Sequence, residues 1–145
     1  MEKISIVEIT ETTEGNVVAV NFLLKQLTSH PVDITLEELD KIVASEASRL
    51  FFIYCDDEVA GMLTLGSYLT PTGPKSWVED VVVDHRFRGR KLGKQLVEYA
   101  IAEAGKISGN QLMLTSKPAR VVANALYRSV GFQPKETNVY RMTFE

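Results

Sequence analysis

The sequence predicts an α/β fold built on one mixed β-sheet. Apolar residues recur with strand and helix periods in turn along the chain, so both kinds of element are expected. Three successive strands are joined by short turns and therefore cannot all run parallel. The 145 residues, 45% hydrophobic and 24% charged, are enough for one compact core, so we expect a single domain over residues 1–145.

The first third of the chain is predicted to form one strand and two helices. Isoleucines among polar residues indicate a strand over residues 3–10. Apolar residues at helical spacing predict a helix over residues 14–28. A capping box, in which Thr35 precedes Glu38 by three residues, begins a second helix.

The middle of the chain is predicted to form three strands and a helix. Apolar runs over residues 49–55 and 59–68 flank the polar residues 56–58, which indicates a hairpin. A strand over residues 77–83 ends in three valines, a run typical of a strand buried on both faces. A helical stripe follows over residues 89–104.

The last third is predicted to alternate strands and a helix. A strand is expected over residues 111–115 and a helix over residues 119–129, with Gly131 as its stop. A short strand near Phe132 and a final strand over residues 139–144 complete the sheet. The predicted order is therefore β-α-α-β-β-β-α-β-α-β-β.

Composition argues against several classes of function. The net charge of -3 gives no general attraction to nucleic acids or membrane surfaces, so neither is expected as a partner. Cys55 is the single cysteine and lies in an apolar stretch, which suits a core residue in a reducing, cytoplasmic compartment. Neither a signal peptide nor a membrane span is predicted, and no cluster of side chains has the spacing of metal ligands.

The junction between the valine run and the next helix is predicted to bind an anion. It carries four cations and two glycines: Arg88, Gly89, Arg90, Lys91, Gly93 and Lys94. Free N–H groups and the positive end of the helix dipole attract anions at such a junction, and the cations can pair with phosphate oxygens. The glycine spacing fits neither the P-loop nor the dinucleotide fingerprint. A solvated basic helix start and a nucleic-acid patch are the alternative interpretations.

Three stretches resemble the GNAT superfamily of N-acetyltransferases. Residues 88–93 are similar to the family's acetyl-coenzyme A signature, with Lys91 in place of the middle glycine. That replacement is compatible with the signature if Lys91 adopts an ordinary helical conformation. Residues 77–83 resemble the family's fourth strand, and residues 123–132 resemble its last helix and the Gly-Phe that follows.

The resemblance implies a fold, a cofactor and a set of residues. The fold would be a mixed, mostly antiparallel central sheet flanked by helices, with acetyl-coenzyme A bound at the splay between the fourth and fifth strands. The activity would be acetyl transfer from that cosubstrate to an amine. The implied cofactor-binding residues are Val81, Val82, Val83, Arg88, Gly89, Arg90, Lys91, Leu92, Gly93, Lys94, Asn124 and Tyr127.

Amine acetylation requires a base, a donor to the oxyanion and a donor to the leaving thiolate. The resemblance implies that the base lies on the strand before the valine run, where Glu79 is the first candidate and Asp80 the second. Strand alternation would put the two on opposite faces, and a solvated carboxylate is an equal alternative. The resemblance places Tyr127 beside the leaving sulfur, although it could also be a packed core tyrosine. A backbone N–H near Val81 would hold the oxyanion, and Ser116 is a weaker candidate near the acetyl group.

The leading hypothesis is transfer of an acetyl group to a primary amine of a small molecule by direct attack in a ternary complex. No residue is a credible acyl nucleophile, which disfavours an acyl-enzyme. Acetylation of a protein α-amine or lysine is one alternative, and a non-catalytic acyl-coenzyme A-binding module is another. Residues 28–33, 69–75 and 134–140 are the candidate walls of the acceptor site, and a homodimer is compatible with all these hypotheses.

Overall fold

The computed structural model describes residues 2–145 and divides the chain into two compact units, Met1–Thr115 and Ser116–Glu145. The first unit contains five strands, three α-helices and a short 3₁₀ helix at His85–Phe87. Its elements are β1 (Ile4–Glu8), α1 (Glu14–Leu27), α2 (Leu36–Ala44), β2 (Ser48–Cys55), β3 (Glu58–Thr70), β4 (Gly73–Val83), α3 (Leu92–Gly105) and β5 (Gln111–Met113). The second unit contains α4 (Val121–Ser129). No helix within residues 2–145 has both the length and the apolar character needed to cross a membrane.

Side-chain caps fix the starts of α1 and α2. Thr13 accepts a first-turn amide of α1, and the predicted capping box of α2 is confirmed by reciprocal bonds of 3.1 and 3.0 Å between Thr35 and Glu38. The amide of Asn21 closes the connection between the two helices through bonds of 2.8 and 3.1 Å to the backbone of Ile34. Hydrogen bonds thus stabilise the starts of both helices and the connection between them, in addition to the packing of their apolar faces.

The five strands form one sheet in the order β1-β2-β3-β4-β5. The first three pairings are antiparallel and the last is parallel, which confirms the predicted mixed, mostly antiparallel sheet. The parallel pairing runs only from Lys75 opposite Gln111 to Trp77 opposite Met113. From residue 78 to residue 83, β4 has no strand on that side among the described residues, so the two strands part after Trp77.

Helices α1 and α2 share a core with alternate residues of the sheet. Its buried members include Val17, Val20, Leu23, Leu39, Leu50, Phe52, Met62 and Val82. Within the predicted valine run only Val82 is fully buried, whereas Val81 and Val83 are half-buried. The expectation of burial on both faces was therefore only partly right, because β4 has a neighbouring strand on one side alone at this point.

In the second unit, α4 ends in a Schellman motif. The N–H of Phe132 donates to the carbonyl of Tyr127 at 3.0 Å and that of Gly131 to the carbonyl of Arg128 at 3.1 Å, with Gly131 at φ +112°. The rings of Tyr127 and Phe132 meet edge to face, 6.1 Å apart. This confirms Gly131 as the helix stop.

The two strands predicted near Phe132 and over residues 139–144 do not form, so those predictions were wrong. A strand exists only where its backbone meets a partner, and residues 133–145 have no ladder pairing among the described residues. The apolar side chains of Val139, Tyr140, Met142 and Phe144 are instead 72%, 87%, 78% and 83% exposed. Alternating apolar residues form a strand only if a sheet edge is available for backbone hydrogen bonds.

Candidate functional site

An open edge of β4 forms the first part of the candidate site. Trp77 is the last residue of β4 that pairs with β5, and its indole N–H donates to the hydroxyl of Tyr68 at 3.1 Å. Beyond Trp77 the β4 edge that faced β5 presents main-chain N–H and C=O groups to no other described strand. Such an edge can pair with an extended ligand.

A β-bulge interrupts β4 inside this open stretch. Between Glu79 and Val82, β4 has one residue more than the matching part of β3, and Asp80 adopts φ +50°. The bulge leaves Asp80 and Val81 outside the β3 pairing. The bulge interrupts the strict alternation of the strand, and Glu79 and Asp80 are both exposed. That the two side chains face opposite sides stays a prediction.

The pKa of Glu79 is raised above its usual value. Partial burial of the carboxylate is the larger cause, and the negative charge of Asp80 adds to it. These two neighbouring carboxylates lie at the bulge. A carboxylate with a raised pKa is a better proton acceptor near neutral pH than an ordinary surface glutamate.

A buried carboxylate directs the chain out of β4. The side chain of Asp84 is fully inaccessible and accepts bonds of 3.1, 3.0 and 2.8 Å from the backbone and guanidinium of Arg86 and one of 3.3 Å from Gln26. Burial alone would raise the pKa of Asp84, but these hydrogen bonds and the charge of Arg86 outweigh it and hold that pKa below its usual value. Asp84 is therefore ionised and fully partnered.

Sequence reasoning missed both Asp84 and Gln26. Asp84 could have been identified as the cap of a short helical turn, since its side chain accepts from the amide of Arg86. Gln26 carries no local signal, because it lies 58 residues before its partner in the chain.

The start of α3 is not capped by any side chain of the described residues. The first-turn N–H groups of this helix therefore remain available to an anion, in contrast to those of α1 and α2. Gly89 has φ +82°, and no atom lies within 4 Å of the position that a side chain would occupy. The turn before α3 thus has open space beside it.

Lys91 adopts a left-handed conformation, with φ +62° and ψ +24°. The expectation of an ordinary helical conformation was wrong, because Lys91 is the N-cap of α3, which begins at Leu92 rather than at residue 89. It takes the backbone conformation that suits glycine, which the GNAT signature has at this position. The substitution therefore places a lysine in a conformation that glycine adopts more readily.

The cations of the turn differ in their surroundings. The guanidinium of Arg90 pairs with Glu2 and lies over the ring of Phe87, 5.3 Å from its centre. Arg88 donates one bond of 3.2 Å to the carbonyl of Val83 and is otherwise exposed. Lys91 is also exposed, and Lys94 is half-buried. Arg90 thus has an ion-pair partner and an aromatic partner, whereas Arg88 has one hydrogen bond to the backbone.

The remaining predicted residues lie on α4 in the second unit. Tyr127 is 8% exposed, and its burial raises the pKa of the phenol, an effect that the charge of Arg120 reduces. Asn124 lies one turn earlier and donates to the carbonyl of Lys117 at 2.9 Å. The hydroxyl of Ser116 is buried without a hydrogen-bond partner among the described residues. Because burial raises the pKa of its phenol, Tyr127 stays protonated over a wide pH range.

Comparisons with known proteins give a family, from a family model, and a fold, from solved structures. The family model described as "Acetyltransferase (GNAT) family" matches residues 18–132. A putative acetyltransferase from Agrobacterium tumefaciens is 20% identical, with a TM-score of 0.84 over 96% of this chain and 99% of its own. An aminoglycoside N-acetyltransferase in complex with coenzyme A is 18% identical, with a TM-score of 0.79 over 99% and 96% of the two chains. Glucosamine-6-phosphate N-acetyltransferase from Arabidopsis thaliana is 22% identical, with a TM-score of 0.78 over 97% and 99%.

Proposed function

This chain belongs to the GNAT family of acetyltransferases, and on that premise we propose that it acetylates a primary amine of a small molecule with acetyl-coenzyme A. The observation that carries the proposal is the succession of features from β4 to α3. An open strand edge leads to a bulge with a carboxylate of raised pKa, and then to a basic helix start without a cap. The small-molecule acceptors in the names of two similarly folded enzymes, an aminoglycoside and glucosamine-6-phosphate, support the acceptor class.

The residues present fit the parts of acetyl-coenzyme A. The uncapped N–H groups of α3, with Arg88, Lys91 and Lys94 around them, suit a pyrophosphate. The open space at Gly89 lets a phosphate approach the backbone. The free edge of β4 at residues 78–83 suits an extended arm that carries its own amide groups. Acetyl-coenzyme A, when bound there, supplies a thioester activated for attack by an amine.

Glu79 acts as the base in this proposal. An alkyl amine has a pKa of about 10.4, so roughly one molecule in a thousand is uncharged at neutral pH. Glu79 takes the ammonium proton, directly or through a water, and the free amine then attacks the thioester carbonyl. The N–H of Val81 stabilises the oxyanion, since the bulge leaves this residue outside the β3 pairing.

Tyr127 assists the leaving group in this proposal. As the carbon–sulfur bond breaks, the phenol donates a hydrogen bond to the thiolate. A thiolate whose thiol has a pKa of about 8.5 cannot take the proton of a phenol of pKa about 10 without cost, and burial raises the pKa of Tyr127 further. The newly acetylated nitrogen therefore releases its extra proton, the phenol passes a proton on to the thiolate, and the phenol ends protonated as it began.

A thiol-release assay with a panel of small amines and short peptides tests the activity. We expect release with at least one small amine and a loss of about 100-fold in kcat for Glu79→Gln. Glu98→Gln, an exposed change on α3, is the matched control and should retain full activity. Release with peptides alone would instead indicate protein acetylation, and tight binding of coenzyme A without any release would indicate a binding module.

Intact mass spectrometry distinguishes direct attack from an acyl-enzyme. After incubation with acetyl-coenzyme A alone, we expect the mass of the protein to be unchanged, because no activated nucleophile is part of the proposed mechanism. A stable gain of one acetyl group, lost on addition of the amine acceptor, would contradict direct attack.

A further inference from the structure

One face of α1 contacts the segment that connects β4 to the anion-binding turn. Gln26 donates to the carboxylate of Asp84 at 3.3 Å and accepts from the backbone N–H of His85 at 2.8 Å. Phe22, one turn earlier on α1, lies under the guanidinium of Arg86 at 5.7 Å. We call these contacts of Phe22 and Gln26 with residues 84–86 the α1 clamp.

The clamp acts at the residue where the chain leaves the sheet. The N–H of Asp84 still donates to Ala60 of β3 at 2.8 Å, and the carbonyl of Asp84 already accepts from Phe87 in the 3₁₀ helix at 2.8 Å. The amide of His85, the next residue along, has Gln26 as its acceptor. Gln26 therefore supplies the bond that sets the direction of the chain just before the turn.

Arg86 takes part in the clamp rather than in anion binding. Its guanidinium bonds to Asp84 at 2.8 Å, lies 5.2 Å from the ring centre of Phe87 and is 3.8 Å from the carboxylate of Glu58. A guanidinium with these partners has little capacity left for a phosphate. Its guanidinium instead links the carboxylate of Asp84 to the rings of Phe22 and Phe87.

We propose that Gln26 is a positioning residue, which holds the turn over residues 84–91 in the conformation that presents the N–H groups of α3 to acetyl-coenzyme A. This inference rests on the proposed function. If the turn is already in its binding conformation before the ligand arrives, less conformational entropy is lost on binding and the affinity is higher. Without Gln26 the competent conformation is a smaller fraction of the population, and the apparent affinity falls by that fraction.

Calorimetric binding of coenzyme A to the Gln26→Met variant tests the proposal. Methionine keeps the length and helix propensity of glutamine but makes neither hydrogen bond. We expect Kd to rise about tenfold, as the loss of one or two hydrogen bonds would give, and the KM for acetyl-coenzyme A to rise with it at unchanged kcat. Lys25→Met, an exposed change on the same helix, is the matched control and should bind normally. A Kd within twofold of the unmodified protein for Gln26→Met would overturn the proposal.

Amide hydrogen exchange of the free protein gives a readout that needs no ligand. The N–H of His85 should exchange at least several-fold faster in Gln26→Met than in Lys25→Met, because its acceptor is lost. Unchanged exchange there would contradict the clamp. If the unmodified protein fails to bind coenzyme A, the proposed function is wrong, and the exchange result still decides whether Gln26 holds the turn.

Discussion

Asp80 and Lys91 each hold a left-handed backbone conformation next to a group with a proposed role. Asp80, at φ +50°, lies in the bulge beside Glu79, and Lys91, at φ +62°, is the N-cap of the helix whose first N–H groups are proposed to bind an anion. Such a conformation costs about 1–2 kcal/mol for most L-residues, less for aspartate and asparagine. Both positions therefore carry local backbone strain, which is larger at Lys91 than at Asp80.

Replacing Lys91 separates this strain from the charge of the side chain. Lys91→Gly removes both, whereas Lys91→Ala removes the charge and keeps the strain. We expect the glycine variant to be about 1 kcal/mol more stable than the alanine variant by urea denaturation, the reverse of their order inside a helix. Equal stabilities would show that residue 91 is not held at positive φ in solution.

Asp80→Asn tests the interaction between the two carboxylates. Glu79 must be ionised to accept a proton, so kcat/KM should fall as the pH drops through its raised pKa. Removal of the charge of Asp80 removes one cause of the raised pKa and should move that fall to lower pH. Asparagine tolerates the left-handed conformation, so the bulge is kept. Asp57→Asn, in the exposed β2–β3 turn, should leave the profile unchanged, and a profile unmoved by Asp80→Asn would exclude the interaction.

For single residues, the sequence is a better guide to which side chains are candidates for a function than to which residues adopt an unusual backbone conformation. The basic turn could be chosen from its residues, and Glu79 from its place on the strand that resembles the family's fourth strand. The roles of both stay predictions. The positive φ angles of Asp80 and Lys91 could not be predicted, because tertiary geometry imposes them on residues with no strong preference for them. The contact of Gln26 with Asp84 is equally invisible in a single sequence, since it joins distant segments.

Among the elements, the end of α4 depends on a glycine. Gly131→Ala meets no steric obstacle, since no atom lies within 4 Å of the new carbon, but φ +112° is strained for alanine. We expect a loss of about 1–2 kcal/mol in stability and faster amide exchange in the last turn of α4, where the backbone of Tyr127 accepts from Phe132.

Gly105→Ala is the control for that change. Gly105 is the last residue of α3, with equally open space around it and no positive φ. Alanine should stabilise the protein there by about 0.5–1 kcal/mol. If both substitutions have the same sign in thermal denaturation, the proposed role of the Schellman motif is wrong.

A helix or strand could be predicted where its sequence carries a local signal and the fold also supplies the neighbour against which it packs or pairs. Caps, hairpin and helical stripes located α1 through α3 because each has its partner close by in sequence or in the sheet. A final strand was predicted over residues 139–144, where the pattern of apolar residues shows only which side chains could share one face of a strand. The pattern does not show whether a neighbouring strand is there to accept its backbone hydrogen bonds.

Across the first unit, ionised carboxylates connect the layers of the fold. Arg49 on β2 contacts Glu8 on β1 at 2.8 Å and Glu103 on α3 at 2.7 Å. The pKa of Glu103 is lowered chiefly by its hydrogen bonds to Lys106 and Arg49, as that of Asp84 is lowered by its own partners. Arg49 thus joins β1 and β2 to α3, and Asp84 joins the end of β4 to α1.

The stability of the protein should therefore fall in acid. A carboxylate whose pKa is lowered on folding stabilises the native state above its unfolded pKa, near 4, and that contribution is lost as the pH falls through the folded pKa. Urea denaturation at pH 7 and at stepwise lower pH should show this loss. Asp84→Asn should lower stability at pH 7 and make the acid loss shallower, because one of the titrating groups is gone. A loss of the same size in both proteins would assign the acid sensitivity to other groups.

The place where β4 and β5 part is marked by the only tryptophan of the chain. Indole emission responds to local polarity and to the hydrogen bond of the ring N–H, and here that bond goes to Tyr68. An occupant of the adjacent open edge would alter these surroundings. The protein therefore carries a native optical reporter at its proposed site, through which association and release can be timed by rapid mixing without an attached dye.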